Sequence, residues 1–282
     1  MKLVRFGAKG AEKPGIIDAT GAIRDLSGVA ADFIDAGVGI EALNKIRAID
    51  PANLPLAPKE SRIGSCVGRV NNFIAVGLNY ADHAAETGAP IPKEPILFNK
   101  APSALAGPYD DVVIPPGSEK SDWEVELAIV IGKKTYQVSE ADALSHVAGF
   151  AVCNDLSERA WQTEGTGQWV KGKSAPGFGP LGPWLVTPDE IADVQKLAMF
   201  LDLNGKRVQT GNTATMIFGA AFIVSYISKF WLLEPGDVIT TGTPPGVGMG
   251  LKPPVYLKAG DKMHLGIEGL GEQWQTCVAY KG

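Results

Sequence analysis

Cysteine and histidine are scarce in this chain of 282 residues, which contains three of each. Cys66, Cys153 and Cys277 lie far apart, form no CxxC pair and have apolar neighbours. An odd number of isolated thiols disfavours a disulfide framework and gives no support to a thiolate zinc site. We therefore expect three reduced, buried cysteines.

The sequence also lacks a long hydrophobic run and an excess of basic residues. Its longest apolar stretch, residues 220–233, is interrupted by two serines and a lysine. That stretch is shorter than the roughly 18–20 residues needed to cross a bilayer. With 26 basic and 31 acidic residues, the net charge of −5 argues against nucleic acid as a partner. No apolar signal-peptide core follows Met1, so we expect a cytoplasmic protein with no membrane partner.

Glycine and proline, by contrast, are abundant and separate many short β-branched or aromatic runs. This pattern predicts a β-rich α+β fold with a roll or barrel core. The proline-rich stretch 50–58 interrupts any helix and predicts a boundary near residue 65, between a small N-terminal α+β domain (1–65) and a larger second domain (66–282). Strands are predicted at 3–6, 15–18, 73–76, 112–114, 123–131, 147–152, 184–186, 199–203, 238–241 and 263–267, and helices around 30–49, 140–147 and 216–230.

Two glutamates alternate with apolar residues in the run 122–132. In a strand, Glu124 and Glu126 share one face, and Val125 and Leu127 share the other. The two Cβ atoms would lie about 6.5–7 Å apart, so the carboxylates repel each other unless water or a cation lies between them. A hard divalent ion would neutralise the pair. The alternative is a solvated strand face.

Asp155 offers a third carboxylate, two residues after the end of the apolar run 147–153. Its position at the end of a predicted strand makes it a candidate third oxygen ligand. The alternative is a helix N-cap for residues 156–159, because aspartate is a favoured capping residue. The spacing does not decide whether the three carboxylates converge.

A candidate acid–base pair lies in residues 79–88, which predict a short helix that ends at Gly88. His83 and Glu86 are three residues apart and share a helix face, so the carboxylate could orient the imidazole and raise its basicity. The alternative is a surface salt link. We expect His146 and His264 to be structural.

Two further residues could contact an anionic ligand. Lys173 could place a cation near a substrate carboxylate or a developing oxyanion, and the alternative is a solvated lysine. Thr243 lies in a Gly- and Pro-rich loop after a predicted strand, where it could bind a carboxylate, and the alternative is a plain connection. No G-x-S-x-G elbow and no local Cys–His pair occur, so a covalent nucleophile is not indicated.

Taken together, these segments resemble the fumarylacetoacetate hydrolase family over about residues 70–280. The motifs are individually weak, but they occur in the family's order, which makes the combined match specific. They are residues 77–80 with His83 and Glu86, followed by 98–100, 123–127, 154–162, 172–174, 182–184, 235–237 and 241–244.

The resemblance implies a fumarylacetoacetate-hydrolase-type β-roll core, a homodimer, and Mg²⁺ or Mn²⁺ as cofactor in reactions of small 2-oxo or 2,4-dioxo carboxylates. Glu124, Glu126 and Asp155 match the family's metal-binding positions. His83 and Glu86 match the water-activating pair of its C–C hydrolases. The remaining implied catalytic residues are Gln162 and Lys173, and the implied substrate contacts are Tyr80, Lys100, Arg159 and Thr243.

Within the family, the runs 118–120, 168–174, 248–260 and 266–273 look most like hydrolases of 2,4-diketo-3-deoxy sugar acids. Similar chains often carry the name of a ureidoglycolate lyase or a hydroxyheptadienedioate isomerase. Our hypothesis is a metal-dependent hydrolase that cleaves a C–C bond of a 2,4-dioxo acid and releases pyruvate, in sugar-acid or aromatic catabolism. The alternatives are a 2-oxo acid decarboxylase, an enol–keto isomerase or a ureidoglycolate-type lyase at the same metal site, and a non-catalytic metal-stabilised binding protein.

Overall fold

Strands dominate the fold, which is known from a computed structural model that describes residues 1–82, 86 and 90–282. The predicted strand-rich α+β class is confirmed. The strands are β1 (Lys2–Phe6), β2 (Lys13–Ile17), β3 (Ile23–Asp25), β4 (Phe73–Gly77), β5 (Ile96–Lys100), β6 (Leu105–Ala106), β7 (Val112–Ile114), β8 (Ser121–Asp122), β9 (Val125–Ile131), β10 (Val147–Asn154), β11 (Ser157–Glu158), β12 (Gly179–Val186), β13 (Ala198–Leu203), β14 (Lys206–Asn212), β15 (Val238–Thr240), β16 (Lys262–Ile267) and β17 (Gly271–Ala279).

The helices are short and lie between strands. The α-helices are α1 (Ile40–Arg47), α2 (Glu140–Ala143), α3 (Arg159–Thr163), α4 (Val170–Lys173) and α5 (Ala220–Ser228). The 3-10 turns are Asp35–Val38, Pro51–Asn53, Pro102–Ala104, Leu144–His146, Pro188–Glu190, Val194–Lys196, Thr213–Thr215 and Gly248–Gly250. Within the described ranges, no helix has the length and apolar character needed to cross a bilayer.

The strands form a large mixed sheet, a five-stranded sheet and a small ribbon. The large sheet follows the order β3-β2-β1-β12-β10-β9-β15-β4-β5, with β6 beside β12. The second sheet follows the order β14-β13-β16-β17-β7, and β8 pairs with β11. In the described part of the chain the large sheet is an open path rather than a closed barrel, which corrects the expectation of a barrel.

Strand β9 is central to the large sheet and is buried on both faces. Leu127 and Ile129 face a core that also contains Ile223 of α5. Ala128 and Val130 face a second core. This period-2 division places Glu126 on the same face as Ala128, and Glu124 immediately precedes the strand.

The N-terminal strands continue the large sheet. Leu3 of β1 pairs with Leu185 of β12, and Leu3 and Phe33 share the second core with Val130 of β9. The domain division at residue 65 stays a prediction. The helix predicted at 30–49 is confirmed only as α1, because residues 35–38 form a 3-10 turn instead.

The three cysteines are free and buried, as the sequence predicts. Burial raises the pKa of the Cys66 and Cys277 thiols to about 12. Thiols with such pKa values are almost entirely protonated at neutral pH and are therefore poor nucleophiles. This agrees with the absence of a covalent nucleophile from the sequence motifs.

Arg62 joins the N-terminal hairpin to the turn before β7. Its guanidinium donates to Asp110 at 2.8 and 2.6 Å and to Glu12 at 2.7 Å. Burial alone would raise the pKa of both carboxyls, but the hydrogen bonds and charge of Arg62 outweigh burial and lower both values. The arrangement therefore favours the ionised carboxylates and contributes stability while they are ionised.

We expect Arg62→Met to lower the free energy of unfolding at pH 7 by about 2 kcal/mol, since it leaves Asp110 without its cation and Glu12 with only Arg5, 3.6 Å away. Carboxyls with a lowered folded-state pKa stabilise above their unfolded pKa of about 4, and this stabilisation is lost as pH falls through the folded value. The difference between variant and parent should therefore shrink between pH 5 and about pH 3. Urea unfolding across that range measures it, and a difference independent of pH would contradict the assignment.

Candidate active site

Three carboxylates converge where β9 and β10 meet. The antiparallel register pairs Glu126 with Cys153, and the Asp155 backbone N–H donates to the Glu124 carbonyl at 2.9 Å. Asp155 therefore lies beside Glu124 although 30 residues separate them along the chain. Oxygen atoms of Glu124, Glu126 and Asp155 all lie within 4.8 Å of one another. We call these three residues the acidic triad.

The acidic triad has the donor set of a divalent metal site. All three side chains are buried and present hard carboxylate oxygens, which Mg²⁺ and Mn²⁺ prefer. Burial, together with the charges of Asp155 and Glu124, raises the pKa of the Glu126 carboxyl well above its usual range. The Gly242 backbone N–H donates to Glu126 at 2.8 Å and fixes its orientation. A divalent cation would offset the repulsion between these carboxylates, so the residues fit such an ion.

Two lysines hold the triad from the side of β5 and α4. Lys173 Nζ donates to Glu124 at 2.6 Å and to Asp155 at 2.8 Å. Lys100 donates to the other oxygen of Asp155 and to the Leu156 carbonyl. Burial opposes the charge of Lys173, but Asp155 and Glu124 outweigh it and raise the Lys173 pKa. Asp155 is therefore an ion-pair partner and not the helix cap considered from sequence; Glu158 caps α3 instead.

Gly172 explains how Lys173 reaches the triad. A Cβ at residue 172 would lie 2.4 Å from the Glu158 carbonyl oxygen and 2.5 Å from the Gln162 backbone nitrogen. No side chain larger than hydrogen fits there, so glycine lets α4 pack directly against α3. In the sequence pair Gly172-Lys173, the glycine thus allows α4 to pack closely against α3, and the lysine is a buried cation.

Arg159 is the third buried cation of the site. Its Nη2 donates to Glu124 at 2.6 Å, its Nε to Asp122 at 2.8 Å, and its Nη1 to Gln162 at 3.0 Å. Asp122 also accepts hydrogen bonds from the backbone N–H groups of Gly248 and Met249. Sequence reasoning missed Asp122 as a site residue, although it opens the acidic run that contains Glu124.

Thr243 uses its hydroxyl to hold the loop after β15 in place. The hydroxyl donates to the Val125 carbonyl and accepts from Gln209 Nε2, both at 2.9 Å. Gln209 Oε1 in turn accepts from the Val125 backbone N–H at 3.0 Å. Gln209 was not predicted, because only the folded chain brings β14 against the start of β9.

Of the predicted acid–base pair, the structure describes Glu86. His83 lies outside the described residues. The Glu86 carboxylate accepts from the Gly246 backbone N–H at 2.9 and 3.2 Å, which places it against the loop 246–250. The roles of both residues stay predictions.

Tyr80 and Lys100 lie behind the site and are not among the described residues that line its cavity. Tyr80 is fully buried and donates its hydroxyl to Met199 Sδ at 3.2 Å. Lys100 contacts Asp155 from within the protein. The substrate contacts implied for both residues by resemblance stay predictions.

A cavity of about 200 Å³ opens onto Glu124 and Glu126 of the acidic triad. Its polar lining includes Glu124, Glu126, Arg159, Gln162, Lys173 and Thr243. Its apolar lining includes Leu78, Phe98, Trp169 and Met249, which we call the apolar wall. Sequence reasoning did not assign the apolar wall, although residues 98 and 169 lie within the quoted motifs.

Trp169 is held against β4 and β5. Its ring meets the Phe98 ring edge-on, with 5.2 Å between centroids and an angle of 62°. A Cβ at Gly77 would lie 2.5 Å from the Trp169 ring, so glycine at this position makes room for the indole. Phe98 and Gly77 thus fix the position of the Trp169 ring in the apolar wall.

A mixed α+β fold with buried carboxylates, buried cations and a small cavity is an arrangement typical of a metal-dependent enzyme. Residues 72–278 match the family profile described as fumarylacetoacetate (FAA) hydrolase, C-terminal. The chain belongs to the fumarylacetoacetate hydrolase family, whose members are hydrolases and isomerases that act on C–C bonds. The predicted family and enzyme class are therefore confirmed.

Comparisons with individual proteins agree with this assignment. A Burkholderia ambifaria protein described only as a candidate hydrolase is 58% identical over 277 residues, 98% of each chain. The fumarylacetoacetate hydrolase structure from Exiguobacterium antarcticum has 35% identity and a TM-score of 0.89, and the match covers 99% of this chain and 100% of that one. Maleylpyruvate hydrolase from Sphingobium sp. SYK-6, solved with manganese(II) and pyruvate, has 28% identity and a TM-score of 0.82 over the full length of both chains.

Proposed function

We propose that the protein hydrolyses the C3–C4 bond of a 2,4-dioxo carboxylic acid and releases pyruvate. The observation that carries this proposal is the acidic triad with Lys173 bridging Glu124 and Asp155 at the floor of a small cavity. The pyruvate and manganese bound by the similar maleylpyruvate hydrolase support the same chemistry. The physiological route, sugar-acid or aromatic catabolism, is part of the proposal, as is a homodimeric assembly.

The proposed reaction balances as an acylpyruvate plus water giving a carboxylic acid plus pyruvate. The water oxygen forms a bond to C4, the C3–C4 bond breaks, and its electron pair remains on C3 as the pyruvate enolate. A proton from the water then reaches C3. A divalent cation held by Glu124, Glu126 and Asp155 would supply positive charge to the substrate's carboxylate and 2-oxo oxygens and to the enolate.

The protein's own side chains would supply the proton transfer and the remaining charge. His83, oriented by Glu86, would accept the proton of the attacking water. Lys173 and Gln162 line the cavity, and they would donate to the oxyanion that forms at C4. The Gln162 oxygen already accepts from Arg159, which turns the amide so that its nitrogen is available as the donor.

The metal is proposed to be Mn²⁺ or Mg²⁺. Both accept an all-oxygen ligand set such as the acidic triad. Manganese is supported by the similar maleylpyruvate hydrolase. Titration of the metal-free protein with each ion by calorimetry would rank them.

The direct test is pyruvate release, followed with a lactate dehydrogenase assay. Acetylpyruvate, a 2,4-diketo-3-deoxy sugar acid and oxaloacetate would each be offered with Mg²⁺, with Mn²⁺ and with EDTA. Metal-dependent pyruvate from the dioxo acids is the expected result. Pyruvate from oxaloacetate alone would indicate a decarboxylase, and no pyruvate from any substrate would favour the isomerase or the ureidoglycolate-type lyase. Metal-dependent stabilisation without turnover would indicate a binding protein.

His83→Ala should lower kcat for acetylpyruvate about 100-fold, because the attacking water loses its base. Metal binding should be retained, since the imidazole is not assigned to the acidic triad. Calorimetry and steady-state kinetics on one preparation measure both quantities. Unchanged turnover would remove the pair from the mechanism and favour chemistry that needs no attacking water.

A further inference from the structure

We infer that this site selects monocarboxylate substrates whose chain beyond C4 ends in an uncharged apolar group, and that the apolar wall binds that group. The inference rests on the proposed function for the identity of the reaction. It adds the chemical class of the substrate tail, which the reaction itself does not specify. Three separate features of the described residues support it.

The first feature is the charge of the buried network. Four carboxylates, those of Asp122 and the acidic triad, face three cations: Lys100, Arg159 and Lys173. The formal charges of these seven groups sum to one negative charge. A divalent cation would change that to one positive charge, which a single substrate carboxylate neutralises. A second carboxylate on the substrate would leave the buried site with an uncompensated negative charge.

The second feature is the pairing of the cations at the cavity. Within the described part of the chain, the cations that line the cavity are Arg159 and Lys173. Arg159 is bound to Asp122 and Glu124, and Lys173 to Glu124 and Asp155. Residues 83–85 and 87–89 contain neither lysine nor arginine. Among the described residues that line the cavity, a carboxylate at the far end of the substrate therefore finds no lysine or arginine outside these ion pairs.

The third feature is the apolar wall itself. Phe98, Trp169 and Met249 line the same cavity as Glu124 and Glu126, and their side chains are aromatic rings and a thioether without a cationic group. The loop that carries Met249 also holds the Glu86 carboxylate through the Gly246 N–H. An alkyl or aryl tail gains from this surface, whereas a carboxylate loses its hydration without a partner.

The test compares two acylpyruvates of matched shape on the metal-loaded enzyme. The 4-methylpentanoyl and succinyl tails differ in that an isopropyl group replaces the terminal carboxylate. We expect kcat/KM to be about 100-fold higher for 4-methylpentanoylpyruvate, because a buried site strongly rejects an unpaired charge. Equal values, or a preference for succinylpyruvate, would overturn the inference while turnover of acetylpyruvate still upheld the proposed function.

Substitutions test whether the apolar wall is the determinant. Met249→Lys should reduce the ratio of the two kcat/KM values at least about tenfold, because it supplies the missing cation. Trp169→Ala should lower kcat/KM for the 4-methylpentanoyl tail more than for acetylpyruvate. Tyr280→Lys, which adds the same charge at an exposed position outside the cavity lining, is the matched control and should leave the ratio unchanged. A ratio unchanged in Met249→Lys and Trp169→Ala would overturn the role of the wall.

Ligand binding separates a failure of this inference from a failure of the proposed reaction. 6-Methyl-2-oxoheptanoate and 2-oxoadipate differ in the same way as the two acylpyruvates but carry no 4-oxo group to hydrolyse. Thermal melts with Mn²⁺ should show the larger stabilisation with the monocarboxylate. That result without any acylpyruvate turnover would retain the tail preference and reject the hydrolase, whereas equal or reversed stabilisation would reject the tail preference.

Discussion

Glu126→Gln is expected to abolish metal binding and to reduce turnover at least about 1,000-fold. The amide keeps the shape of the side chain and an oxygen that can accept from the Gly242 N–H. It removes the negative charge that the acidic triad needs to hold a divalent cation. Calorimetric titration with Mn²⁺ and the pyruvate assay measure the two losses.

The same substitution should leave the metal-free protein more stable. Burial raises the pKa of the Glu126 carboxyl, so a neutral amide is easier to bury at pH 7 than this group is. We expect the melting temperature without metal to rise by about 2–4 °C and the increase caused by metal to disappear. Glu119→Gln, an exposed site nearby in sequence, is the control and should change neither value. A metal-induced increase that persists in Glu126→Gln would show that the ion binds elsewhere.

The sequence pattern was sufficient to predict the central strand and the first two triad residues. Alternation around Glu124 and Glu126 predicts one shared side, and their carboxylate oxygens do lie within 4.8 Å of each other, although β9 begins only at Val125. Burial of that strand was harder to predict, because a solvated face produces the same alternation. Its neutral residues 127–131 pack into two cores that distant strands and α5 complete.

Local sequence patterns could not predict that the side chains of the site converge. Asp155 reaches Glu124 through the β9–β10 register, and Lys173 reaches both through the close approach at Gly172. These contacts depend on strand order, which no spacing along the chain encodes. Family resemblance supplied the candidates, but it did not indicate that Lys100 would face Asp155 from behind the cavity.

In the N-terminal region, too, the sequence predicts the strands but not how they pair. Short β-like runs at 3–6 and 15–18 predict two strands, and β1 and β2 confirm them. The sequence does not reveal that β1 pairs with β12 and so extends the catalytic sheet. A short strand carries the same residue pattern whether it belongs to a small separate sheet or joins a large one.

Lys173→Met is expected to tighten metal binding while lowering kcat about 100- to 1,000-fold. Lys173 donates to Glu124 and Asp155, so its ammonium competes with a divalent cation for the same oxygens. Removing it should lower the Kd for Mn²⁺ about tenfold, because one nearby positive charge is lost. Turnover should fall because the developing oxyanion loses its cationic donor.

Stability and a matched control distinguish this role from a structural one. Without metal, the variant should unfold more readily by about 3 kcal/mol, since two buried carboxylates lose their common partner. Saturating Mn²⁺ should offset much of that loss, because the ion replaces the missing charge. Lys171→Met, on the exposed side of the same helix, should resemble the parent protein in all three measurements. Weaker metal binding with unchanged kcat would mean that Lys173 only supports the acidic triad and takes no part in the reaction.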